Sequence, residues 1–207
     1  MEKICCIVGA GPSEAYIKED SFIIAADGGL NKLDKLNIKA DLIIGDFDST
    51  KMPYGKNVIT HPIEKDDTDT LLCLKEAIKL GFKTVYISGG LGGLIDHTVA
   101  NIQALIYAEN NGVNAFLVGN GQCMCVINNS KNLVFSPKSN GRISLFAING
   151  KADGVNISYL KYEAHDITLD PSFPLGVSNS IVGKEAQISV KNGDLLVIWE
   201  GTPNDLI

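Results

Sequence analysis

The amino-acid sequence predicts an α/β amino-terminal domain built on a mostly parallel sheet, followed by an all-β carboxyl-terminal domain. Up to about residue 128, short apolar runs alternate with helical stretches, which is the pattern of β-α repeats. Beyond residue 129 the texture changes to short alternating segments punctuated by Asn, Gly, Pro and Asp. The run NNSKN at 128–132 marks the linker, because five polar turn-forming residues in a row continue neither period. The expected domains are therefore 1–128 and 129–207.

Taken in order, the expected strands of the first half are ICCIVG, FIIAAD, DLIIGD, NVITHP, TVYISG and AFLVGN. Helices are expected near 28–36, 69–80 and 96–111. The last two carry Leu72, Ala77 and Leu80, and Ile102, Leu105 and Ile106, at three- and four-residue spacing that suits packing on a sheet face. In the second half RISLFAI, GVNISYLKY, HDITL, AQISV and LLVIWE read as strands. No internal repeat or low-complexity tract interrupts either half. Asp27, Asp46 and Gly89 fall at strand ends, and in open α/β sheets the carboxyl ends of strands are where ligands bind.

Composition narrows the function classes. With 207 residues, 45% hydrophobic and 20% charged, 21 glycines and seven prolines, the chain is neither disordered, collagen-like nor a coiled coil. A net charge of -6 with Arg142 as the sole arginine argues against a nucleic-acid partner. MEKICCIVGA is too short an apolar stretch for a signal peptide or a spanning helix, so no membrane association and a cytoplasmic location are expected. The five cysteines form an odd set and read as reduced core thiols; Cys123 and Cys125 lack the second Cys/His pair of a zinc site. Eleven lysines against sixteen carboxylates place an acidic surplus of five in residues 1–128.

Those carboxylates carry the chemistry. In GDFDS, Asp46 and Asp48 stand two apart after a strand, so an extended segment points both to one side. Converging carboxylates repel unless a cation lies between them, and oxygen ligands with shared phosphates suit Mg²⁺. The alternative is a solvated turn with Ser49 as a cap for the next segment. In EKDDTDT, Thr68 or Asp69 serves as a cap for the next helix, but capping does not account for Asp66, Asp67 and Asp69 together. Two acidic clusters, each after a strand of one sheet, point to a single metal-phosphate site. SGGLGGLIDHTVAN then brings four glycines, Gly92 and Gly93 among them, where backbone can approach a phosphate before a helix begins near Asp96. Here Asp96 as N-cap and His97 as a packed first-turn residue is the simpler alternative. ADGGLNKL is similar, with Asp27 and Gly28 ending a strand and opening a helix.

ADGG (26–29), GDFDS (45–49), KDxTD (65–69) and GGxxDHxxAN (92–101), with LKY at 160–162 and VSNS at 177–180, resemble the motifs of the thiamine pyrophosphokinase family in order and spacing. The resemblance spans nearly the whole chain. It implies a Rossmann-like α/β catalytic domain, a β-sandwich-like second domain, and a homodimer with active sites at the subunit interface. It also implies transfer of a diphosphate from ATP to the hydroxyl of thiamine, giving thiamine diphosphate and AMP.

Carried onto this sequence, the resemblance makes Asp46, Asp48 and Asp66 the ligands of Mg²⁺ and the ATP phosphates, with Asp69 and Asp96 completing the catalytic set. Asp27, Gly28, Lys65, Thr68, Gly92, Gly93, His97 and Asn101 are the expected ATP contacts, and Ser178 and Asn179 face thiamine. The family's carboxyl-terminal tryptophan aligns nearer Val197, which leaves Trp199 as a core residue. The chain departs from the family at Leu94, where an arginine is usual. Either Lys65 supplies the missing cation, as a point charge beside Asp66, or Leu94 packs against the following helix and has no ligand role. A diphosphokinase for another alcohol such as a pterin, a phosphohydrolase, and a non-catalytic nucleotide or thiamine sensor are the competing functions.

Overall fold

The computed structural model describes residues 3–46, 55, 57–62 and 66–207. The chain divides into two compact units, Met1–Asn120 and Gly121–Ile207. The strands of the first are β1 (Ile4–Val8), β2 (Phe22–Ala26), β3 (Leu42–Gly45), β4 (Val58–Thr60), β5 (Thr84–Ser88) and β6 (Asn114–Gly119). They lie in the order β4-β3-β2-β1-β5-β6, and every pairing among them is parallel. Helices α1 (Gly29–Lys35), α2 (Asp69–Lys79) and α3 (Ile95–Asn110) join them, within one or two residues of the spans expected from periodicity.

Side-chain alternation explains the layers. Ile23 and Ala25 of β2, with Val8 and Ile43, pack against Leu30 and Leu33 of α1. Helix α2 packs on β1, β2, β3, β5 and α3, burying Cys73, Leu74 and Ala77. β5 is buried along its whole length, as a central strand covered on both faces must be. The chain steps from β1 outward through β2, β3 and β4, then returns to place β5 on the other side of β1. That reversal opens a crevice between the carboxyl ends of β1 and β5. The start of α1 lies so close to β1 that a β-carbon on Gly29 would collide with the Val8 carbonyl oxygen, so the second glycine of ADGG is needed for packing.

The second unit contains β7 (Gln122–Ile127), β8 (Asn132–Phe135), β9 (Asn140–Ser158), β10 (Ala164–Leu169), β11 (Asn179–Val182), β12 (Ala186–Ser189) and β13 (Asn192–Glu200). β13 pairs antiparallel with β7 and with the first half of β9, whose start also pairs with β11. The second half of β9 pairs with β10 and β12, and β12 with β8. The division between units falls eight residues before the expected linker, because β7 joins β13. NNSKN is the β7-β8 turn, with Asn129 and Ser130 in the left-handed region. RISLFAI and GVNIS also belong to one 19-residue strand. The intervening NGKAD, which reads as punctuation, is carried within the strand as an irregularity, with Asn149 at φ 57° and Gly150 at φ 121° and the register against β13 shifted, while Asp153 and Ala152 keep partners on β13 and β10.

All five cysteines are buried thiols outside any disulfide; burial pushes the thiols of Cys5, Cys6 and Cys123 up from their ordinary range. No helix among the described residues is long and apolar enough to cross a membrane. Trp199 is 1% exposed, stacks edge-on to Phe135 at 5.4 Å, and donates its indole N–H towards Thr202 O at 3.2 Å and Asp205 Oδ2 at 3.3 Å. It is a core residue with its polar edge satisfied. Trp199→Ala should cost about 3–5 kcal/mol, read from urea unfolding of the full chain. A loss below about 1 kcal/mol would show that the core does not depend on it.

Candidate active site

The crevice between β1 and β5 holds a cleft of about 460 Å³. Its floor is backbone. Gly9, Ala10 and Gly11 follow β1, and Gly89 and Gly90 follow β5. The Gly9 N–H donates to Ser88 O at 2.8 Å, and Gly89 adopts φ 70° with its α-carbon facing Gly9, where a side chain would strike the Gly9 carbonyl. Ser13 links the two loops, donating its N–H to Leu91 O at 3.3 Å and accepting the Leu91 N–H on Oγ at 3.4 Å. Asn101, buried on α3, donates its amide to Gly90 O at 2.9 Å. A side-chain hydrogen bond from a long helix thus fixes the glycine loop, so Asn101 shapes the cleft as well as lining it.

The walls come from the expected acidic motifs. Asp27 takes φ 43° and its N–H donates to Ile44 O at 2.8 Å. Its carboxylate therefore reaches over Gly45, the residue before Asp46. Thr68 caps α2, its hydroxyl accepting the Leu71 N–H at 3.2 Å. That leaves Asp69 in the first helical turn, lining the cleft beside Thr68 and Thr70. Asp67 turns elsewhere, to Lys75 at 2.6 Å, and that hydrogen bond raises the Lys75 pKa. The acidic run is therefore split into a cap, an ion pair and a cleft carboxylate.

Of the expected site residues, Asp27, Thr68, Asp69, Gly93, His97 and Asn101 line this one cleft. Gly28, Asp46, Asp66, Gly92 and Asp96 flank it in sequence without lining it. Asp96 lies in the first turn of α3, with Oδ1 accepting the His97 N–H at 2.8 Å. The cap of that helix is Leu94, extended at φ −66°, ψ 140°, in place of Asp96. Leu94 is 67% exposed and lines the cleft, so it is not buried against α3. Asp48 and Lys65 lie outside the described residues. Among the described residues no three His, Cys, Asp or Glu side chains converge as a metal cluster. The donors present, Asp27 and Asp46 at adjacent strand ends, are all oxygen and suit Mg²⁺, which takes one or two carboxylates and shares substrate phosphates.

Sequence reasoning passed over two features. One is GAGP after β1, whose glycines stand at a strand's carboxyl end as plainly as those of SGGLGG. The other is Lys32 of ADGGLNKL, whose ammonium donates to the carbonyls of Gly11 and Ser13. A lysine four residues into a short helix carries no motif signal.

In the second unit, Ser178 takes φ 62° and its N–H donates to Ser144 Oγ at 3.1 Å. It lines a cavity of about 250 Å³ with Arg142, Ser144, Phe146, Trp199 and Glu200. Arg142 and Glu200 pair there at 3.2 Å. Asn179 is buried; its Oδ1 accepts the Tyr162 N–H at 2.9 Å and its Nδ2 donates to Tyr162 O at 2.7 Å. The LKY and VSNS motifs are thereby joined.

Comparison with known proteins matches both units. The family model described as "Thiamin pyrophosphokinase, catalytic domain" covers residues 13–117, and that described as "Thiamin pyrophosphokinase, vitamin B1 binding domain" covers residues 130–195. The Caenorhabditis elegans protein "Thiamin pyrophosphokinase 1" is 25% identical over 190 residues, covering 84% of this chain and 76% of that protein. The crystal structure of thiamine pyrophosphokinase from Bacillus subtilis shares the fold at TM-score 0.84 and 21% identity, covering 97% of this chain and 100% of its own. The Candida albicans structure shares it at TM-score 0.80 and 17% identity, covering 97% and 90%. With both of its family models matched in order along most of its length, the chain belongs to the thiamin pyrophosphokinase family.

Proposed function

We propose that the cleft between β1 and β5 is the ATP site of this enzyme and that the Ser178 cavity belongs to its thiamine site. The family carries the reaction: thiamine diphosphate is formed by pyrophosphoryl transfer from ATP. The observation that selects thiamine over a pterin or a mere sensor is the match of residues 130–195 to the vitamin B1 binding domain, alongside a matched catalytic domain.

In this reading residues 1–120 form a Rossmann-like ATP domain, supported by the parallel pairings around β1. Residues 121–207 form a sandwich-like thiamine and dimerisation domain, supported by the two sets of partners along β9. The glycine floor receives the polyphosphate at backbone distance, and Thr68, Gly93, His97 and Asn101 border it. Gly28 and Gly92 shape the adjoining turns. Asp46, Asp48 and Asp66 hold Mg²⁺, with Asp27 and Asp69 beside them; when bound, the ion neutralises charge on the phosphate oxygens.

The thiamine hydroxyl oxygen forms its bond to the β-phosphorus, the bond from that phosphorus to the α-β bridging oxygen breaks, and AMP leaves with that oxygen. The hydroxyl proton passes to one of the flanking carboxylates, Asp66 or Asp96. The chain's own contribution is mainly orientation and charge placement. Ser178 faces thiamine, and Asn179 holds the segment around Tyr162 in place. We further infer a cytoplasmic homodimer with active sites at the subunit interface. The five buried thiols support the reducing location. The exposed apolar run Phe173, Leu175 and Val177 in the second unit supports the dimer.

Purified protein with ATP, thiamine and Mg²⁺ should release AMP and thiamine diphosphate in equal amounts. Formation of ADP, or AMP release indifferent to thiamine, would contradict the assignment. Asp46→Asn should lower turnover by about a hundredfold or more, through loss of charge neutralisation in the transition state. Asp67→Asn should stay within about threefold of the parent, because it removes only a part-exposed ion pair on α2. Equal effects of the two substitutions would show that the division of the acidic run is wrong.

A further inference from the structure

Among the described residues, those lining the cleft include Asp27, Asp69 and His97 but no lysine or arginine. A polyphosphate entering it therefore meets, among the described residues, two carboxylates, the His97 imidazole and a floor of neutral backbone. Directly behind that floor lies Lys32. The residue is half-buried on α1, and its Nζ donates to Ser13 O at 2.6 Å and to the carbonyl of Gly11. Nζ lies 2.9 Å from where a β-carbon of residue 89 would stand, so the ammonium occupies space left open by Gly89. One side chain thus connects α1, the loop after β1 and the loop after β5, the two loops that make the floor.

The consequences are geometric and electrostatic. With the carbonyl dipoles of Gly11 and Ser13 drawn onto the ammonium, their negative ends are held on the Lys32 side of the loop. A whole positive charge also lies within one backbone thickness of the cleft. Partial desolvation lowers the Lys32 pKa, with Glu14 the carboxylate that opposes this shift. A partly desolvated charge is less screened by solvent than one on the surface, and its field reaches further.

We propose that Lys32 is a positioning residue for the nucleotide: it braces the Gly9–Ser13 loop and places the cationic charge beneath the floor on which the polyphosphate rests. It acts through the loop and does not touch substrate. This rests on the reading of the cleft as the ATP site.

The test is steady-state kinetics of the full-length enzyme at fixed ionic strength, varying ATP and thiamine separately. Lys32→Met should raise the KM for ATP by about tenfold, the size of one charge-assisted hydrogen bond, and leave the KM for thiamine within about twofold. Inhibition by inorganic tripolyphosphate should weaken by about the same factor as ATP binding, while inhibition by adenosine stays unchanged. Lys32→Arg, which keeps charge and donors, should restore the ATP KM to within about threefold of the parent. Lys32→Gln, a neutral donor, should resemble the methionine variant.

An unchanged ATP KM in Lys32→Met overturns the proposal, as does a parallel rise in both substrates' KM values or an arginine variant as poor as the glutamine one. Should Lys32→Met fail to fold, the arginine-glutamine comparison decides alone. An unsubstituted enzyme that forms no AMP in response to thiamine defeats the ATP-site reading and this inference with it. An active one indifferent to Lys32 defeats only the inference.

Discussion

At the switch point of the first unit, the chain leaving β1 meets the chain leaving β5 backbone to backbone at Gly9 and Gly89. The Gly9 N–H meets Ser88 O at 2.8 Å, and Gly89 can turn back only by taking φ 70°. Backbone contact this close gives a floor of amides at the carboxyl edge of the sheet, the place where an α/β fold offers its ligand crevice. Other groups at the cleft are arranged around that contact. Ser13 ties the two loops, Asn101 anchors Gly90, and Lys32 fills the space that glycine leaves. Any β-carbon at residue 89 would push the loops apart and disturb all three.

The carboxylates are placed by the same sheet. Asp27 and Asp46 end neighbouring parallel strands, and the hydrogen bond from Asp27 N to Ile44 O holds the two chain ends side by side. Asp69 arrives from the start of α2, whose cap is Thr68. Packing of α2 on β1, β2, β3 and β5 is therefore what brings the third acidic residue to the cleft. The stability of the helix and the geometry of the site share one cause, burial of Cys73, Leu74 and Ala77.

Much of this was legible in the sequence, for identifiable reasons. Strands β1 to β6 are short apolar runs between turn formers, and α2 and α3 carry their apolar residues at helical spacing, so pattern alone places them. The second unit was harder. β9 continues through NGKAD because its partners change midway from β13 to β10 and β12, and partner exchange leaves no local mark. β11 begins inside VSNS and runs on through Ile181 and Val182, its polar start held because Asn179 is buried against the backbone of Tyr162. At the site, a strand-end position pointed to Asp27 and the acidic run pointed to Asp69, both of which line the cleft, but composition could not show that Asp67 belongs to Lys75. Lys32 was invisible because its role depends on two loops far from it in sequence.

In the proposed site the triphosphate of ATP lies on the floor formed by Gly9, Ala10, Gly11, Gly89 and Gly90 of the first unit. Amide hydrogen exchange on the full-length protein, with and without α,β-methylene ATP and Mg²⁺, tests this directly, since the analogue cannot break at the bond that transfers. Slowed exchange concentrated in residues 9–11, 68–70 and 89–94 is the predicted result. Unchanged exchange in those three segments at saturating analogue, with protection confined to residues 121–207, would contradict it.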